Sequence, residues 1–255
     1  MSRVSFHVII PARYGATRLP GKPLLNLAGK PMIQHVYERA QESGADKVII
    51  ATDDERIESA VKEFGGEVCI TADSHCSGTD RITEVTEKYG FSAEQIVVNL
   101  QGDEPLMPPT VIKQVAENLE KNTDASMATV CAKIITAAEL FDPHIVKLVK
   151  DVHDMAIYFS RASIPWDRDA FASTTEVLPE RSKHYRHIGI YAYRVGFLRQ
   201  YIQWPQCDLE KMESLEQLRA IWHGHKIHVA EAVEVPLAGI DTERDLEVVR
   251  IHLSA

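Results

Sequence analysis

Three cations, Arg13, Arg18 and Lys22, crowd into ten residues of the stretch IIPARYGATRLPGKPL at positions 9–24. The same stretch carries Gly15 and Gly21 and the prolines Pro11, Pro20 and Pro23. Glycine lets backbone N–H groups approach an anion closely, and successive N–H groups form a concave nest for it. A stiff basic loop of this kind suits a polyanion such as a triphosphate. It is not a Walker-type phosphate loop: five residues separate the glycines where that motif has four, and Lys22 is followed by Pro23 where it needs Ser or Thr. A basic surface turn is the plainer reading. It ranks lower because the preceding run, Val8-Ile9-Ile10, is apolar enough for the inside of a sheet. A second chemical group is Asp103, in Gln101-Gly-Asp-Glu-Pro105. A carboxylate just past a central strand either caps the next segment or binds a hard cation; the Gly102 approach and the Glu104-Pro105 exit favour the cation. Mg²⁺ is held by one or two carboxylates together with substrate phosphates. Asp241 is a second candidate carboxylate, although from position alone it reads equally well as an ordinary helix-start aspartate.

The elements that must carry these groups follow a βα alternation. Strand 8–10 leads through the basic loop to a helix over 32–43, opened by Pro31 and stopped by Gly44. A second strand, 48–51, precedes a helix to Phe64, with Thr52-Asp-Asp-Glu55 as its expected capping box. A third strand, 68–70, follows Gly65-Gly66. The polar loop 71–80 ends in Ser77-Gly-Thr-Asp80, which serves either as an N-cap for a helix over 81–89, through Ser77 or Thr79, or as a functional loop, or as both. Residues 96–100 are the most apolar strand and are expected at the sheet's centre. A helix over 109–122, a strand over 126–133 and a short helix capped by Thr136 and Glu139 come next. The pattern then changes to a hairpin, 146–149 with 156–159, and an irregular segment to about His187. A strand over 187–193, helices over 196–204 and 213–222, a strand over 227–230 and a last helix capped by Thr242 and Asp245 complete the chain. The expected fold is α/β, a doubly wound, mostly parallel sheet with an antiparallel subregion.

The composition narrows the partners. The 255 residues carry a formal net charge of −9, which excludes the basic footprint of a general nucleic-acid binder. The N-terminal cations are therefore a local exception, better suited to a small anion than to a polymer. Cys69, Cys76, Cys131 and Cys207 have no CxxC spacing, so no zinc ribbon or thioredoxin-like motif is present. Free thiols, no signal-peptide pattern and no apolar stretch of spanning length lead us to expect a cytoplasmic protein with no membrane partner. His223, His225 and His228 share no helical face and have no completing carboxylate or cysteine, so no metal is assigned to them.

The stretch Pro11-Ala-Arg-Tyr-Gly-Ala-Thr-Arg-Leu-Pro-Gly-Lys-Pro23 resembles the signature of CMP-sugar-acid synthetases, above all the 3-deoxy-manno-octulosonate (Kdo) cytidylyltransferases. Residues 75–81 (HCSGTDR) and 99–105 (NLQGDEP) are similar to that family's second nucleotide loop and metal-bearing strand end. Residues 158–168, 186–191, 215–219 and 239–242 continue the likeness in order along essentially the whole chain. The resemblance implies a nucleotidyltransferase, Rossmann-like domain spanning 1–255. About 1–135 would bind nucleotide, about 136–230 sugar and a second subunit, and about 231–255 would return to the core. It implies direct transfer of CMP from CTP to the anomeric hydroxyl of Kdo for lipopolysaccharide biosynthesis, without a covalent intermediate. Arg13, Lys22 and Asp103 would be catalytic, and Pro11, Ala12, Arg13, Lys22, Ser77, Gly78, Thr79, Arg81, Gln101 and Asp103 would border the nucleotide. Gln101, Arg161, His187, Glu216 and Gln217 would contact the sugar acid, Asp103 and Asp241 would hold Mg²⁺, and the protein would be a homodimer.

One departure from the family is Gly15-Ala16, where relatives often have Ala-Ser, so a hydroxyl contact to the triphosphate is missing. Two other readings remain. One is a CMP-sugar synthetase for sialic acid or an amino-substituted Kdo. The other is a non-catalytic nucleotide module, against which the retained Lys22, Asp103 and Asp241 argue.

Overall fold

The first strand, β1 (Phe6–Pro11), is buried along almost its whole length and organises the sheet around it. In this computed structural model, which describes residues 3–15, 19–75, 77–237 and 239–254, it pairs in parallel with β4 (Lys47–Thr52) on one side and β6 (Ile96–Asn99) on the other. Between β1 and β4 come the small ladder β2 (Asn26–Leu27) with β3 (Lys30–Pro31) and helix α1 (Met32–Glu42). Helix α2 (Glu55–Glu63), strand β5 (Val68–Ile70) beside β4, and α3 (Gly78–Lys88) lead back to β6. The chain therefore reverses its direction of travel across the sheet between β1 and β6. In open α/β sheets that switch point leaves a crevice at the carboxyl ends of the strands.

The remaining half departs from a purely parallel plan. After α4 (Pro109–Lys121) come β7 (Met127–Lys133), α5 (Ala137–Phe141) and the antiparallel pair β8 (Lys147–Lys150) and β9 (Ala156–Ser160). The ten-residue β10 (Tyr185–Arg194) inserts antiparallel between β6 and β7, and its outer end also pairs with β8. Helices α6 (Val195–Tyr201), α7 (Asp208–Glu213) and α8 (Gln217–Trp222), strand β11 (Ile227–Glu231) parallel to β7, and α9 (Glu243–Ser254) finish the chain. The main path is β11-β7-β10-β6-β1-β4-β5. The expected α/β sheet with an antiparallel subregion is present, and β6 is central.

Side-chain alternation divides the apolar residues between two cores. Val8, Ile10, Val48, Ile50 and Val98 face α1, α2 and α4, while Ile9, Ile49, Ala51 and Val97 face α3, α6 and α8. Helices on both faces account for the unbroken apolar strands. A third cluster joins Leu19, Leu27 and Met32 to Ile240, Leu246 and Val249, so the C-terminal helix packs over the loop that follows β1.

Four expectations are corrected. Thr52 does not cap α2, because it still pairs in the sheet with Ile70. Its hydroxyl accepts from the Asp54 N–H at 3.2 Å, and Asp54 is the cap, accepting from Arg56 N–H at 2.9 Å. Ser77 alone caps α3, in a reciprocal box with Asp80, and Thr79 lies inside the helix. The irregular segment stops at 184, because β10 extends to Tyr185 through pairing with Lys133. The helix expected over 213–222 begins only at Gln217 as α8; α7, ahead of it, ends at Glu213, where Ser214 takes a φ of 52°. No helix among the described residues is long and apolar enough to cross a membrane.

Candidate active site

Lys22, Asp103 and Asp241 meet at the switch point. Lys22 opens a 3-10 turn (Lys22–Leu24) behind Gly21, whose φ of 70° is the left-handed conformation that glycine adopts without penalty. Its ammonium donates to Asp103 Oδ2 at 2.7 Å and to Asp241 Oδ1 at 3.1 Å. Burial works against that charge, but the two carboxylates outweigh it and the Lys22 pKa lies above the ordinary value. Asp103 follows the carboxyl end of β6. Gly102 is needed there: a Cβ would lie 2.9 Å from the Pro11 carbonyl oxygen, and backbone cannot yield that space. Asp241 is brought in by the Ile240 N–H, which donates to the Asp103 carbonyl at 2.9 Å. The Thr242–Asp245 cap then turns the chain into α9.

The basic loop leans on the loop after β5. Arg13 is exposed, and its guanidinium donates to the carbonyls of His75 at 2.5 Å and Ser77 at 3.4 Å. Pro11 touches the same loop, since a Cβ on Gly78 would lie 3.5 Å from its ring. Ala12 is buried and bonds through its N–H to the Ala51 carbonyl. Arg18 and Ala16, with Cys76, lie outside the described residues.

Glu84 of α3 secures the 71–77 loop. Its carboxylate accepts from the Ala72 N–H at 2.9 Å, pairs with the His75 ring and bonds Lys88 at 2.7 Å. Burial would raise its pKa, but these hydrogen bonds prevail and hold it at about 2. Because that lies below the unfolded carboxylate value, the stabilisation is complete above about pH 4.5 and is lost as pH falls through about 2. Glu84→Gln should cost roughly 2 kcal/mol at neutral pH, with the difference from the parent narrowing as the pH falls from about 5 towards 3. Urea unfolding midpoints across that range check this, and a pH-independent difference contradicts it.

Beside Asp103 opens a cavity of about 220 Å³ lined by Gly78, Thr79, Gln101, Glu216, Gln217 and three tyrosines, Tyr191, Tyr193 and Tyr201. The Gln101 amide donates to Asn99 Oδ1 at 3.1 Å, and the Thr79 hydroxyl donates to Glu216 at 3.0 Å. The side-chain nitrogen of Gln217 is buried without a protein partner. Polar groups converging on a partly aromatic cavity suit a small polar ligand.

Residues 7–227 match the family model described as Cytidylyltransferase. The 3-deoxy-manno-octulosonate cytidylyltransferase of Aliivibrio fischeri (strain MJ11) is 59% identical over 251 residues, covering 98% of this chain and 100% of the relative. That of Vibrio cholerae serotype O1 (strain M66-2) is 58% identical over 247 residues, 97% of each chain. The chain belongs to the 3-deoxy-manno-octulosonate cytidylyltransferase family. A solved structure of CMP:2-keto-3-deoxy-manno-octonic acid synthetase complexed with CTP is 44% identical, with a TM-score of 0.89 over 98% of this chain and 99% of that one. A nucleotidyl transferase from Methanothermobacter thermautotroptrophicus, 14% identical with a TM-score of 0.61 over 98% of each chain, shares the fold.

The residues that the family resemblance nominated divide into four groups. Lys22, Asp103 and Asp241 form one cluster, while Gln101, Gly78, Thr79, Glu216 and Gln217 line the adjoining cavity. Pro11, Arg13 and Ser77 lie where the loop after β1 meets the loop after β5, and Ala12 is bonded to β4. Arg81, Arg161 and His187 stand apart. Arg81 is fully buried, donating to Asp53 at 2.8 Å and to the Thr71 hydroxyl, so its guanidinium ties two loops together and does not line the cavity. Arg161 donates to the carbonyls of Glu213 at 2.7 Å and Pro143 at 3.0 Å. The His187 ring packs between Phe159 and Tyr191 near the Thr129 hydroxyl, and burial pushes its pKa down to about 3, which keeps it neutral. Its ring contact with Tyr191 links it to the cavity wall.

The family pattern also left Glu104 unremarked. Burial, followed by the nearby charges of Asp103 and Asp241, pushes its carboxyl up to about 8. Its place beside Asp103 in the sequence was the available signal, masked by its apparent role in a Glu-Pro turn.

Proposed function

We propose that this protein transfers CMP from CTP to the anomeric hydroxyl of 3-deoxy-D-manno-octulosonate, releasing pyrophosphate and forming CMP-Kdo. The observation that carries the reading is the Lys22 ammonium bracketed by Asp103 and Asp241 beside a cavity lined by Gln101, Glu216 and Gln217. The names of relatives up to 59% identical support it. The anomeric oxygen attacks the α-phosphorus in line, its proton is lost, and the bond to pyrophosphate breaks. Such chemistry is mostly positioning and charge stabilisation. Lys22 and Arg13 supply positive charge along the triphosphate, and backbone N–H groups of the basic loop add to it. Gln101, Glu216 and Gln217 orient the sugar acid at the cavity wall.

The residues fit a divalent cation. Two carboxylates already converge on one positive charge. Among the described residues no three His, Cys, Asp or Glu side chains could hold a metal by themselves, so further ligands would come from phosphate and water. Asp103 and Asp241 would hold Mg²⁺, which when bound would neutralise charge on the triphosphate and on the departing pyrophosphate.

A cytoplasmic homodimer belongs to the same reading. Ile157, Met212 and Trp222 expose apolar side chains on and around the antiparallel subregion, where a second copy would cover them. The test is incubation with CTP, Kdo and Mg²⁺. Pyrophosphate release with Kdo, exceeding release with sialic acid or an amino-substituted Kdo, is the expected result. No release, or a strong preference for sialic acid, overturns the assignment.

A further inference from the structure

Arg219 and Glu210 form an ion pair that is 8% and 3% exposed, away from the Lys22 cluster. The contact is bidentate, with Arg219 Nε on Glu210 Oε2 at 2.7 Å and Nη2 on Oε1 at 2.5 Å. A third donor reaches the Trp204 carbonyl at 3.3 Å, and the guanidinium carbon lies 4.4 Å from the centre of the Tyr201 ring. Glu210 is in α7 and Arg219 in α8, so the pair closes the bend between the two helices. That bend is Ser214 to Glu216, and with Gln217 it forms one wall of the cavity.

The bend does not hold itself. Ser214 is a non-glycine residue at φ 52°, a left-handed conformation that side chains disfavour. Gln217 has no protein hydrogen bond on its side-chain nitrogen, so its aim into the cavity is set by the backbone that carries it. Hydrogen bonds reach the bend from several sides: the Leu215 N–H donates to the Glu210 carbonyl at 3.3 Å, Arg161 Nε to the Glu213 carbonyl at 2.7 Å, the Thr79 hydroxyl to the Glu216 carboxylate at 3.0 Å and the Tyr201 hydroxyl to the Glu216 carbonyl at 2.9 Å. Two of these anchors neighbour the pair: the Glu210 carbonyl belongs to the residue that carries the paired carboxylate, and the Tyr201 ring is the one against which Arg219 lies.

A buried ion pair adds little net stability over apolar residues of the same size, because desolvation offsets the attraction. What a bidentate fork supplies is geometry. We propose that Glu210 and Arg219 are positioning residues for the second substrate. Their pairing sets the angle between α7 and α8 and so presents Glu216 and Gln217 to the sugar acid. The identity of the occupant rests on the function proposed above; the positioning of the wall does not.

The test is the double variant Glu210→Leu/Arg219→Met, with Arg219→Lys as a milder change that keeps the charge and loses the fork. The double variant should melt at or near the parent's temperature and keep KM for CTP within about twofold. KM for the sugar acid should rise about tenfold or more, with Arg219→Lys in between. Hydrogen exchange of the amides at 214–217 should speed up in both. A merely structural role would lower the melting temperature and the active fraction while leaving KM for the sugar acid in place. An unchanged KM in either folded variant overturns the proposal, and should the double variant fail to fold, Arg219→Lys carries the same readouts. If the parent uses no sugar acid at all, the proposed function falls, and exchange at 214–217 alone decides whether the pair sets the wall: unchanged rates overturn it.

Discussion

Asp103→Asn should lower kcat by about a thousandfold or more, while KM for CTP changes by only a few-fold. The substitution keeps the shape of the side chain and removes its charge, so the close approach of Gly102 to Pro11 and the bond from the Ile240 N–H to the residue 103 carbonyl are retained. What disappears is one of the two carboxylates converging on Lys22, the less exposed of the pair at 35% against 67% for Asp241. On the proposed reading, ground-state binding of the triphosphate would draw on Arg13, Lys22 and loop backbone, none of which is altered. An effect confined to kcat is the signature of an interaction made in the transition state. Pyrophosphate release at saturating CTP and Kdo measures it, and turnover within tenfold of the parent would falsify the role assigned to Asp103. Asp241→Asn should fall in the same direction by less, in keeping with its greater exposure.

Lys22→Met removes the positive charge from the same cluster, and its effects should differ in kind. kcat/KM for CTP should drop by about a hundred- to a thousandfold, because the ammonium would meet the triphosphate both before and during transfer. Asp103 and Asp241 lose their shared partner, and Glu104, already pushed up to about 8 with this cation present, loses an attraction that had lowered it. The variant should therefore melt below the parent in divalent-free buffer. Added Mg²⁺ should raise its melting temperature more than the parent's, since the ion no longer competes with an internal ammonium and stabilises the native state by mass action. Scanning calorimetry with and without Mg²⁺ distinguishes this from simple loss of packing; equal responses in the two proteins would show that Lys22 and the ion do not share the carboxylates.

The parallel half of the sheet was legible because its information is local. Residues 8–10, 48–51, 68–70 and 96–98 are short apolar runs, and each became part of a parallel strand. The loop carrying Lys22 and the strand end carrying Asp103 were visible for the same reason. What escaped depended on distant partners. The antiparallel insertion of β10 between β6 and β7 is decided by pairing with residues some sixty to a hundred positions earlier, such as Ile188 with Val130 and Tyr193 with Val97. The break at Ser214 lies inside a helical pattern, and its reasons are elsewhere: the Glu213 carboxylate accepts from the Ser160 hydroxyl and the Arg161 N–H, and Arg219 reaches back to Glu210. Arg81 read as a basic residue in a nucleotide loop, yet Asp53 and Thr71, which take it inside, come from other strand ends. Nothing in the sequence marked Tyr191, Tyr193 and Tyr201 as the wall of a cavity that they share with the bend between α7 and α8.

The contact between Lys22 and Asp241 joins residues 219 positions apart, and Leu246 and Val249 lie over Leu19 and Leu27. Such closure is the most expensive in chain entropy and tends to form late. Catalysis is thus a clock for the final event of folding: during refolding, fluorescence and circular dichroism should recover first, and pyrophosphate release should appear only when the two distant ends of the fold have met. A partly folded chain that holds only its central sheet should be unable to spend CTP, a safeguard that comes from the order of residues along the polypeptide rather than from any regulator.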